Sequence, residues 1–523
     1  MKLIQIHPRD NVAVALDTVA QGETISLAAG DLGKIEVTAL EEIPKGHKIA
    51  LTDIEEGGAV IKYGTVIALA STAIKKGSWI HTHNAHTGLN GGTNFVYDHK
   101  VYDLPSYTDE EKASKTFNGY RRPDGRAAVR NEIWIIPLVG CVNGIVKQLV
   151  NENQQLVGGL DRAKNPDGTN RYEEASKYAS VDGLYCFNHP FGCSQLGDDL
   201  SRTGKLLAAL VRHPNAGGVL CVGLGCENLT LDLFKKELGE YDPNRVKFLI
   251  CQDTEDEIEE GSRLLKELAD YAAGFHREPI PASELVVGLK CGGSDGLSGI
   301  TANPTVGSFS DRLIALGGST VLTEVPEMFG AENILFSRCL NKDVFDKAVG
   351  MVDKFKQYFI SHNQPVYENP SPGNKKGGIT TLEDKSCGCI QKGGSAQIVD
   401  VLDYAEPVTK KGLNLMTGPG NDLVSSTVLT AAGAHMILFT TGRGTPFGAP
   451  APTAKIATNS ALAARKSDWI DFNAGTVAEG KETPAQAGAR LLDYVLRIAS
   501  GEQTLAERHG CRDISIFKDG VIL

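Results

Sequence analysis

The chain lacks the long apolar segments that membrane and secreted proteins carry. Its 523 residues contain no uninterrupted run of about 18 apolar residues, the length that a membrane-spanning helix needs. His7, Arg9 and Asp10 interrupt the apolar residues at the N-terminus, so we expect no signal-peptide core there. Hydrophobic residues make up 41% and charged residues 22%, as in ordinary soluble globular proteins. We therefore expect a cytoplasmic protein without a membrane partner.

An excess of positive charge is also missing. Lys and Arg number 53 against 64 for Asp and Glu, which gives a net charge of −11 and excludes a basic surface for nucleic acid. No Gly-x-Gly-x-x-Gly follows the first strand, and no Gly-Lys-Ser/Thr phosphate loop occurs. We expect neither a nucleic-acid partner nor a nucleotide cofactor.

A disulfide framework is not expected either. The eleven cysteines are an odd number scattered along a long chain, which is typical of free thiols in a reducing compartment. Some of them are expected to be ordinary core residues, because free cysteine is among the most buried residue types.

The length is too great for one hydrophobic core, and the patterning predicts an α/β protein of several domains. Short apolar stretches and Gly turns in residues 1–92 predict a small β domain, and the polar stretch 93–118 predicts a linker. Strand-like runs then alternate with helical stretches, which favours mostly parallel sheets covered by helices in residues 119–276 and 277–523. Residues 253–275 predict an acidic surface helix, and 364–396 a long functional loop.

Polar, Gly-rich turns follow six of the apolar runs. Because ligands bind outside the carboxyl ends of parallel strands, we expect these turns to share one crevice. The turns are residues 188–194, 223–228, 290–295, 324–327, 418–422 and 440–446.

Thiol, imidazole and carboxylate groups in these turns suit Fe or Zn better than Mg. The alternative for each thiol is a buried side chain beside a tight turn. The predicted metal ligands are His189, Cys193, Cys226, Cys291 and Glu324. A second imidazole cluster, His81, His83 and His86, is either a metal or substrate loop or an exposed polar turn.

Other residues in the turns suit a carboxylate ligand. Arg443 lies in a Gly-Arg-Gly turn before Thr445, and Lys375 follows Asn374 in the predicted loop. A guanidinium binds a carboxylate through two parallel hydrogen bonds, and Gly neighbours allow backbone N–H groups to approach. Ser294 completes the predicted substrate-binding set. For Lys375 the alternative is that it is only a solvated charge of the loop.

Long motifs, among them FGCSQLGDD, GLGCEN, CGGSDGLSGITANP, LTEVPEMFGAE and FTTGRGTPFG, resemble the altronate/galactarate dehydratase family over nearly the whole chain. The resemblance implies an N-terminal SAF (β-clip) domain, a linker, a middle domain involved in homodimer formation and a Rossmann-like C-terminal domain. It also implies dehydration of D-altronate to 2-keto-3-deoxygluconate in hexuronate catabolism, with Fe²⁺, or alternatively Mn²⁺, under reducing conditions. The resemblance leads us to expect one Cys within residues 386–389, whereas this chain has two, Cys387 and Cys389.

Such an elimination needs a base for the C2 proton and stabilisation of the resulting ene-diolate, which a divalent metal provides. Under this hypothesis His189, Cys193 and Glu324 hold the metal, and Arg443 and Lys375 hold the remaining substrate oxygens. The predicted catalytic residues are His189, His435 and Asp295, the last two as alternative bases.

Other functions remain open from the sequence. A dehydratase or lyase of the same family would act on galactarate or on a sulfonated hydroxy acid. Several cysteines near strand ends are also consistent with a thiol redox or iron–sulfur protein. A third alternative is a sugar-acid binding module without catalysis.

Overall fold

The N-terminal domain consists of short antiparallel strands. The computed structural model describes residues 2–28, 30, 33–89, 95–158 and 177–523. The strands form sheets in the orders β1-β2-β5-β8, β3-β4 and β6-β7-β9, with small buried side chains such as Val12–Ala15 between them. They are β1 Leu3–Ile4, β2 Val12–Ala15, β3 Thr24–Ala28, β4 Lys34–Thr38, β5 Lys48–Ala50, β6 Ala59–Lys62, β7 Thr65–Ala70, β8 Trp79–Ile80 and β9 Ala85–His86.

The middle part is built on a four-stranded parallel sheet in the order β13-β12-β14-β15. Its central strand, β12, is buried along its whole length, as a strand covered on both faces should be. The elements are α1 Asp109–Ser114, β10 Thr116–Arg121, β11 Ala127–Ala128, β12 Glu132–Pro137, α2 Asn143–Glu152, β13 Gly183–Cys186, α3 Gly197–Arg212, β14 Ala216–Gly223, α4 Leu231–Leu238, β15 Val246–Ile250, α5 Glu257–Ala272 and β16 Arg277–Pro281. Strand β10 pairs with β11 and β16 in a small antiparallel sheet, and both α1 and the start of β10 lie within the predicted linker.

The C-terminal domain contains a seven-stranded parallel sheet in the order β19-β20-β18-β17-β21-β22-β23. Helix α13 packs against α6 on one face, and α11 packs on the other side against α3 of the middle part. The elements are β17 Val286–Cys291, α6 Ala302–Ala315, β18 Ser319–Leu322, α7 Glu332–Phe336, α8 Lys342–Ser361, α9 Pro372–Lys376, α10 Leu382–Cys389, β19 Ile398–Leu402, β20 Leu413–Met416, α11 Asp422–Ala431, β21 Met436–Thr441, β22 Thr453–Ala457, α12 Ser460–Arg465, β23 Phe472–Asn473, α13 Pro484–Ala499 and α14 Leu505–Arg508. The predicted α/β class, with a small β domain and helix-covered parallel sheets, is confirmed.

Two expectations need correction. The six polar turns do not share one crevice, because β13 and β14 belong to the middle sheet whereas β17, β18, β20 and β21 belong to the C-terminal sheet. The segment 364–396 is not one irregular loop. Ser371 caps α9 and Thr381 caps α10, and every residue of α10 is buried, so capping and packing outweigh the Gly-rich composition.

The acidic helix is confirmed as α5, which begins after the capping carboxylate of Asp256. Leu264, Leu265, Leu268 and Ala272 are buried on its inner face as predicted. In the part of the chain that the structure describes, no helix is long and apolar enough to cross a membrane.

The N-terminal domain docks onto α10 and the turn before it. Backbones approach so closely here that a Cβ on Gly296 would lie 1.9 Å from the carbonyl oxygen of Gly46. The hydroxyl of Thr87 and the amide of Gly88 both donate to Glu383 Oε1 at 2.9 Å. The small β domain therefore covers the carboxyl edge of the C-terminal sheet.

Candidate active site

The site lies at the carboxyl edge of the seven-stranded sheet. Strand β17 ends at Cys291, and β18 is followed by Glu324, whose left-handed backbone (φ 71°) costs about 1 kcal/mol and begins a 3₁₀ turn that carries Glu327. Helix α10 and the 3₁₀ turn after it, Ile390–Gly393, cross this edge and bring in Cys389 and Lys392.

Cys291, Glu327 and Cys389 form a compact buried group. Their ligand atoms lie within 4.8 Å of one another, and among the described residues this is the group of three His, Cys, Asp or Glu side chains that could hold a metal ion. The thiol of Cys389 lies 2.9 Å from Glu327 Oε2. Ser294 Oγ lies 2.6 Å from Cys291 Sγ.

Three buried lysines surround this group. Lys290 and Lys392 both donate to Glu324, the latter over 2.9 Å. Lys385 Nζ lies 2.8 Å from Glu327 Oε1. Because a buried charge is costly without a partner, these contacts offset part of the cost of burying the lysines and carboxyl groups.

The two carboxyl groups differ in acidity. Burial and the neighbouring charge of Glu327 raise the pKa of Glu324 to about 7. Burial acts in the same direction on Glu327, but Lys385, Lys290 and Lys392 outweigh it and hold the pKa of Glu327 far below its ordinary value. Glu327 is thus the permanently charged member of the pair.

The two thiols are also unequal. A hydrogen bond from Cys389, assisted by Lys392, holds the pKa of Cys291 well below that of an ordinary thiol. The same hydrogen bond and burial raise the pKa of Cys389. Cys291 is therefore the thiolate and Cys389 the thiol, and a thiolate is the form that binds metals.

A second ionic cluster joins the N-terminal domain to the site. Asp384 on α10 accepts from Lys48 at 2.7 Å and from Lys62 at 3.0 Å, with all three side chains buried. Burial lowers the pKa of Lys48 to about 8. Burial would raise the pKa of Asp384, but the two lysines lower it. Asp384 precedes Lys385 in α10, so this cluster holds the helix that carries Lys385 and Cys389.

An open cavity of about 480 Å³ lies beside the loop that follows β17. Four cationic side chains line it, and its inner wall includes Asp295. The cations are Lys45, Lys376, Arg443 and Arg465. Asp295 also lines a small inner pocket together with Ser294, Lys385 and Cys389.

Asp295 is held in place by hydroxyl groups. Thr458 Oγ1 donates to its Oδ2 at 2.9 Å and Ser298 Oγ to its Oδ1 at 3.1 Å. Burial raises the pKa of Asp295 above its ordinary value in spite of these hydrogen bonds. It is therefore a more basic carboxylate than an exposed one, at the junction of the two cavities.

The donor set of Cys291, Glu327 and Cys389 fits a divalent transition metal. A thiolate, a carboxylate and a thiol that can lose its proton suit Fe(II) or Zn(II), whereas Mg(II) and Ca(II) prefer oxygen ligands alone. Ser294 and Lys385 already contact members of this set and would orient them.

Six of the residues predicted from the sequence lie at this edge: Cys291, Ser294, Asp295, Glu324, Asn374 and Arg443. Asn374 donates to the carbonyl of Ser294 at 2.9 Å and accepts from Lys385 at 3.2 Å. Arg443 Nη1 donates to Gly373 O at 2.9 Å and borders the cavity. Glu324 accepts a hydrogen bond from the N–H of Cys291 at 3.0 Å. Its carboxylate is bound by lysines, and it is not a member of the compact group.

The structure does not bring His189, Cys193 and Cys226 together with Cys291. They follow β13 and β14 of the other sheet, and the pattern of strand ends alone does not indicate which strands pair. Both ring nitrogens of His189 are occupied, one by Pro137 O at 2.7 Å and the other by the N–H of Phe191 at 3.2 Å. Its imidazole connects two loops of the middle sheet.

His435 lies away from the predicted crevice. It precedes β21, so it is at the amino ends of the strands, and six residues of strand, roughly 20 Å, separate the two edges. Its ring hydrogen-bonds to Ala127 O at 2.9 Å and to the N–H of Val286 at 3.0 Å. Burial lowers its pKa to about 4, which fits a neutral structural histidine.

The remaining predicted side chains are peripheral. Lys375 and Thr445 do not line the cavity, although their neighbours Lys376 and Arg443 do. Of the three N-terminal histidines, His81 and His83 both pack against the ring of Trp79, and His81 Nδ1 lies 3.2 Å from Thr380 Oγ1. His86 is exposed.

The sequence did not predict the buried lysines of the site or the thiol of Cys389. Lys48 and Lys62 lie more than 300 residues from Asp384, so no local pattern connects them. Glu327 and Cys389 had a signal in the Glu-Val-Pro-Glu and Cys-Gly-Cys motifs. Cys387 is buried outside the compact group, which makes Cys389 the functional candidate of the two.

Comparisons with known proteins identify relatives of all three parts of the chain. Family models match "Altronate/galactarate dehydratase SAF domain" at residues 1–88, "D-galactarate dehydratase/Altronate hydrolase, second domain" at 119–273 and "D-galactarate/Altronate dehydratase, C-terminal" at 282–522.

Three relatives illustrate the similarity. Altronate dehydratase of Escherichia coli (strain K12) is 50% identical over 523 residues, covering 100% of both chains. Altronate dehydratase of Bacillus subtilis (strain 168) is 49% identical over 99% of both chains, and the galactarate dehydratase (L-threo-forming) of Escherichia coli (strain K12) is 34% identical over 98% of this chain and 96% of its own. The chain therefore belongs to the altronate/galactarate dehydratase family.

Proposed function

We propose that this chain is a hydro-lyase that converts D-altronate to 2-keto-3-deoxy-D-gluconate in hexuronate catabolism. The observation that carries the proposal is the cation-lined cavity, which shares Asp295 with an inner pocket that is lined by Cys389 of the compact group. Full-length relatives at about half identity that are named altronate dehydratase support the choice of substrate.

The cavity cations bind the sugar acid. Arg443 is anchored by its hydrogen bond to Gly373 and presents the rest of its guanidinium to the cavity, where it holds the substrate carboxylate. Lys376 and Arg465 add positive charge on the same wall. Ser294, which lines the inner pocket, binds a hydroxyl group of the sugar chain, and Asn374 positions Ser294 and Lys385 through its hydrogen bonds.

Asp295 takes the proton from C2. Its raised pKa makes it a stronger base than an exposed aspartate, and it faces both the cavity and the inner pocket. The C3–O bond then breaks, and the departing hydroxide takes up the proton that Asp295 removed from C2, so that water is released. The enol product converts to the 2-keto acid. Thr458 and Ser298 hold the carboxylate in one orientation during this step.

Cys291, Glu327 and Cys389 would hold Fe²⁺, which supplies Lewis-acid stabilisation of the charge that develops beside the substrate carboxylate. The two sulfur donors favour Fe²⁺ over Mn²⁺, which prefers oxygen ligands. Glu324 accepts the N–H of Cys291 and binds Lys290 and Lys392, so it positions the thiolate and balances the lysines.

All eleven cysteines are free thiols, which supports a reducing, cytoplasmic location. The working unit is proposed to be a homodimer, which light scattering of the purified protein tests directly.

The decisive assay incubates the full-length protein with D-altronate, Fe²⁺ and a thiol reductant without oxygen, and follows formation of a 2-keto acid. We expect turnover of altronate and much slower turnover of galactarate and sulfolactate. Absence of product from altronate, with product from either of the other acids, would replace the proposed substrate. Absence of product from all three would remove the proposed function.

A further inference from the structure

Three exposed thiols follow neighbouring strands at the carboxyl edge of the middle sheet, whereas the proposed active site lies on the C-terminal sheet. Cys141 follows β12, Cys193 follows β13 and Cys226 follows β14. These strands are neighbours in the parallel sheet, with β12 between the other two. Because parallel strands end at one edge, the three thiols belong to one small region.

The loops that carry them are bonded to one another. The N–H of Gly140 donates to Phe191 O at 2.8 Å, which ties the loop after β12 to the loop after β13. The N–H of Ser194 donates to Asn228 Oδ1 at 2.6 Å, which ties the loop after β13 to the loop after β14. His189 adds a third connection through Pro137 O.

Polar side chains in these loops have buried atoms without hydrogen-bond partners. They are Asn143 Oδ1, Asn188 Oδ1 and Gln195 Nε2, and Gln195 is only 2% exposed. Gln195 Oε1 accepts the N–H of Gly192, so the side chain is held in place while its N–H groups remain unpaired. A buried polar group without a partner is energetically unfavourable, which argues for an additional ligand here.

The chemistry of the thiols identifies the class of ligand. As ligands, cysteine sulfurs select soft metal centres, namely Cu(I), Zn(II) or iron–sulfur clusters. Among the described residues these three sulfurs do not form a group within 4.8 Å, so they are too widely spaced to meet on one ion. A cluster distributes its thiolates over separate irons, and the free amide of Gln195 is a donor of the kind that bonds to cluster sulfur.

We propose that Cys141, Cys193 and Cys226 bind an iron–sulfur cluster in which one iron carries no protein thiolate. The site is independent of the Cys291, Glu327 and Cys389 group, because it belongs to another sheet and contains none of its residues. The iron that carries no protein thiolate has a free coordination position, which an oxygen ligand can occupy.

The test uses the full-length protein, purified without oxygen and reconstituted with iron salts and sulfide. Iron and acid-labile sulfide per chain are measured together with the visible absorption spectrum. We expect a brown protein that retains both elements after desalting. Single variants Cys141→Ser, Cys193→Ser and Cys226→Ser should lose the sulfide and the absorption, whereas Cys511→Ser, a partly exposed thiol after α14, should keep both.

Cys291→Ser separates this site from the proposed active site. It should lose altronate turnover while it keeps the sulfide and the visible spectrum. Circular dichroism of each variant checks that the exposed substitutions leave the protein folded. A wild-type protein that binds iron or zinc but no acid-labile sulfide overturns the proposal, and so does sulfide that persists in all three serine variants.

Discussion

Lys48 of the N-terminal domain donates a 2.7 Å hydrogen bond to Asp384 of the C-terminal domain, and both side chains are excluded from solvent. Lys62 binds the other carboxylate oxygen at 3.0 Å. One carboxylate thus pairs with two lysines from a separate domain, and the same helix supplies Cys389 to the proposed metal group.

Asp384→Asn is expected to destabilise the protein. It leaves two ammonium groups buried without a counter-charge, and removal of one member of a buried ion pair typically costs about 3–5 kcal/mol. Denaturant unfolding measures the loss. Asp53→Asn breaks an exposed pair with Lys75 and should leave the unfolding midpoint unchanged.

The stabilisation from Asp384 should depend on pH in one direction. Its folded-state pKa lies below the ordinary value of 3.8, so its contribution is complete well above pH 3.8 and is lost as the pH falls below that value. The stabilities of wild type and Asp384→Asn should therefore converge in acid. A constant difference between them down to low pH would contradict this explanation.

Asp295→Asn is expected to lower kcat by about a hundredfold to ten-thousandfold, the usual contribution of a general base. In the wild type, activity should rise with pH through the pKa of Asp295, which is above that of an ordinary aspartate. Thr458→Val removes a hydrogen bond that lowers this pKa, so the acid limb of the pH–rate profile should move to higher pH. Thr458→Ser keeps the hydroxyl and should restore the original profile.

Cys291→Ser and Cys389→Ser are expected to abolish metal binding at the proposed active site. Cobalt(II) titration without oxygen reports thiolate ligation through its charge-transfer absorption. Cys387→Ser is the matched control, because Cys387 is buried in the same helix but lies outside the group. Equal cobalt absorption in the Cys389→Ser and Cys387→Ser proteins would exclude Cys389 as a ligand.

Arg443→Ala is expected to raise KM for altronate about tenfold or more, since a hydrogen bond to a charged group contributes about 1.5–3 kcal/mol. The variant should remain folded because Arg443 is exposed. Lys375→Ala serves as the comparison, since Lys375 does not line the cavity. Steady-state kinetics with both variants measures the difference, and an equal effect of the two substitutions would remove the role of Arg443.

Local patterns predicted much of the fold and part of the site. Apolar runs that end in Cys291, Glu324 and Arg443 are strands of one parallel sheet, and their turns do lie at its carboxyl edge. The same pattern could not assign strands to sheets, because pairing depends on packing between distant segments. For this reason the sequence pattern assigned Cys193 and Cys226 to the same predicted metal site as Cys291.

Residues whose roles depend on long-range contacts were beyond local reasoning. Lys48 and Lys62 occur in short strands that give no indication of Asp384, more than 300 residues away. His435 could have been excluded, since a residue that precedes a strand lies at the edge opposite the ligand crevice. Helix α10 was missed because its Gly, Ser, Cys and Asp residues lower its helix propensity, and burial outweighs this deficit.

The ionic contacts of Asp384 with Lys48 and Lys62 connect the two domains independently of the polypeptide that runs between them. An enzyme cut between Leu89 and Phe95 would keep every one of these contacts, together with the hydrogen bonds of Thr87 and Gly88 to Glu383. We therefore expect the N-terminal domain, when it is supplied as a separate chain, to bind the remainder through these contacts.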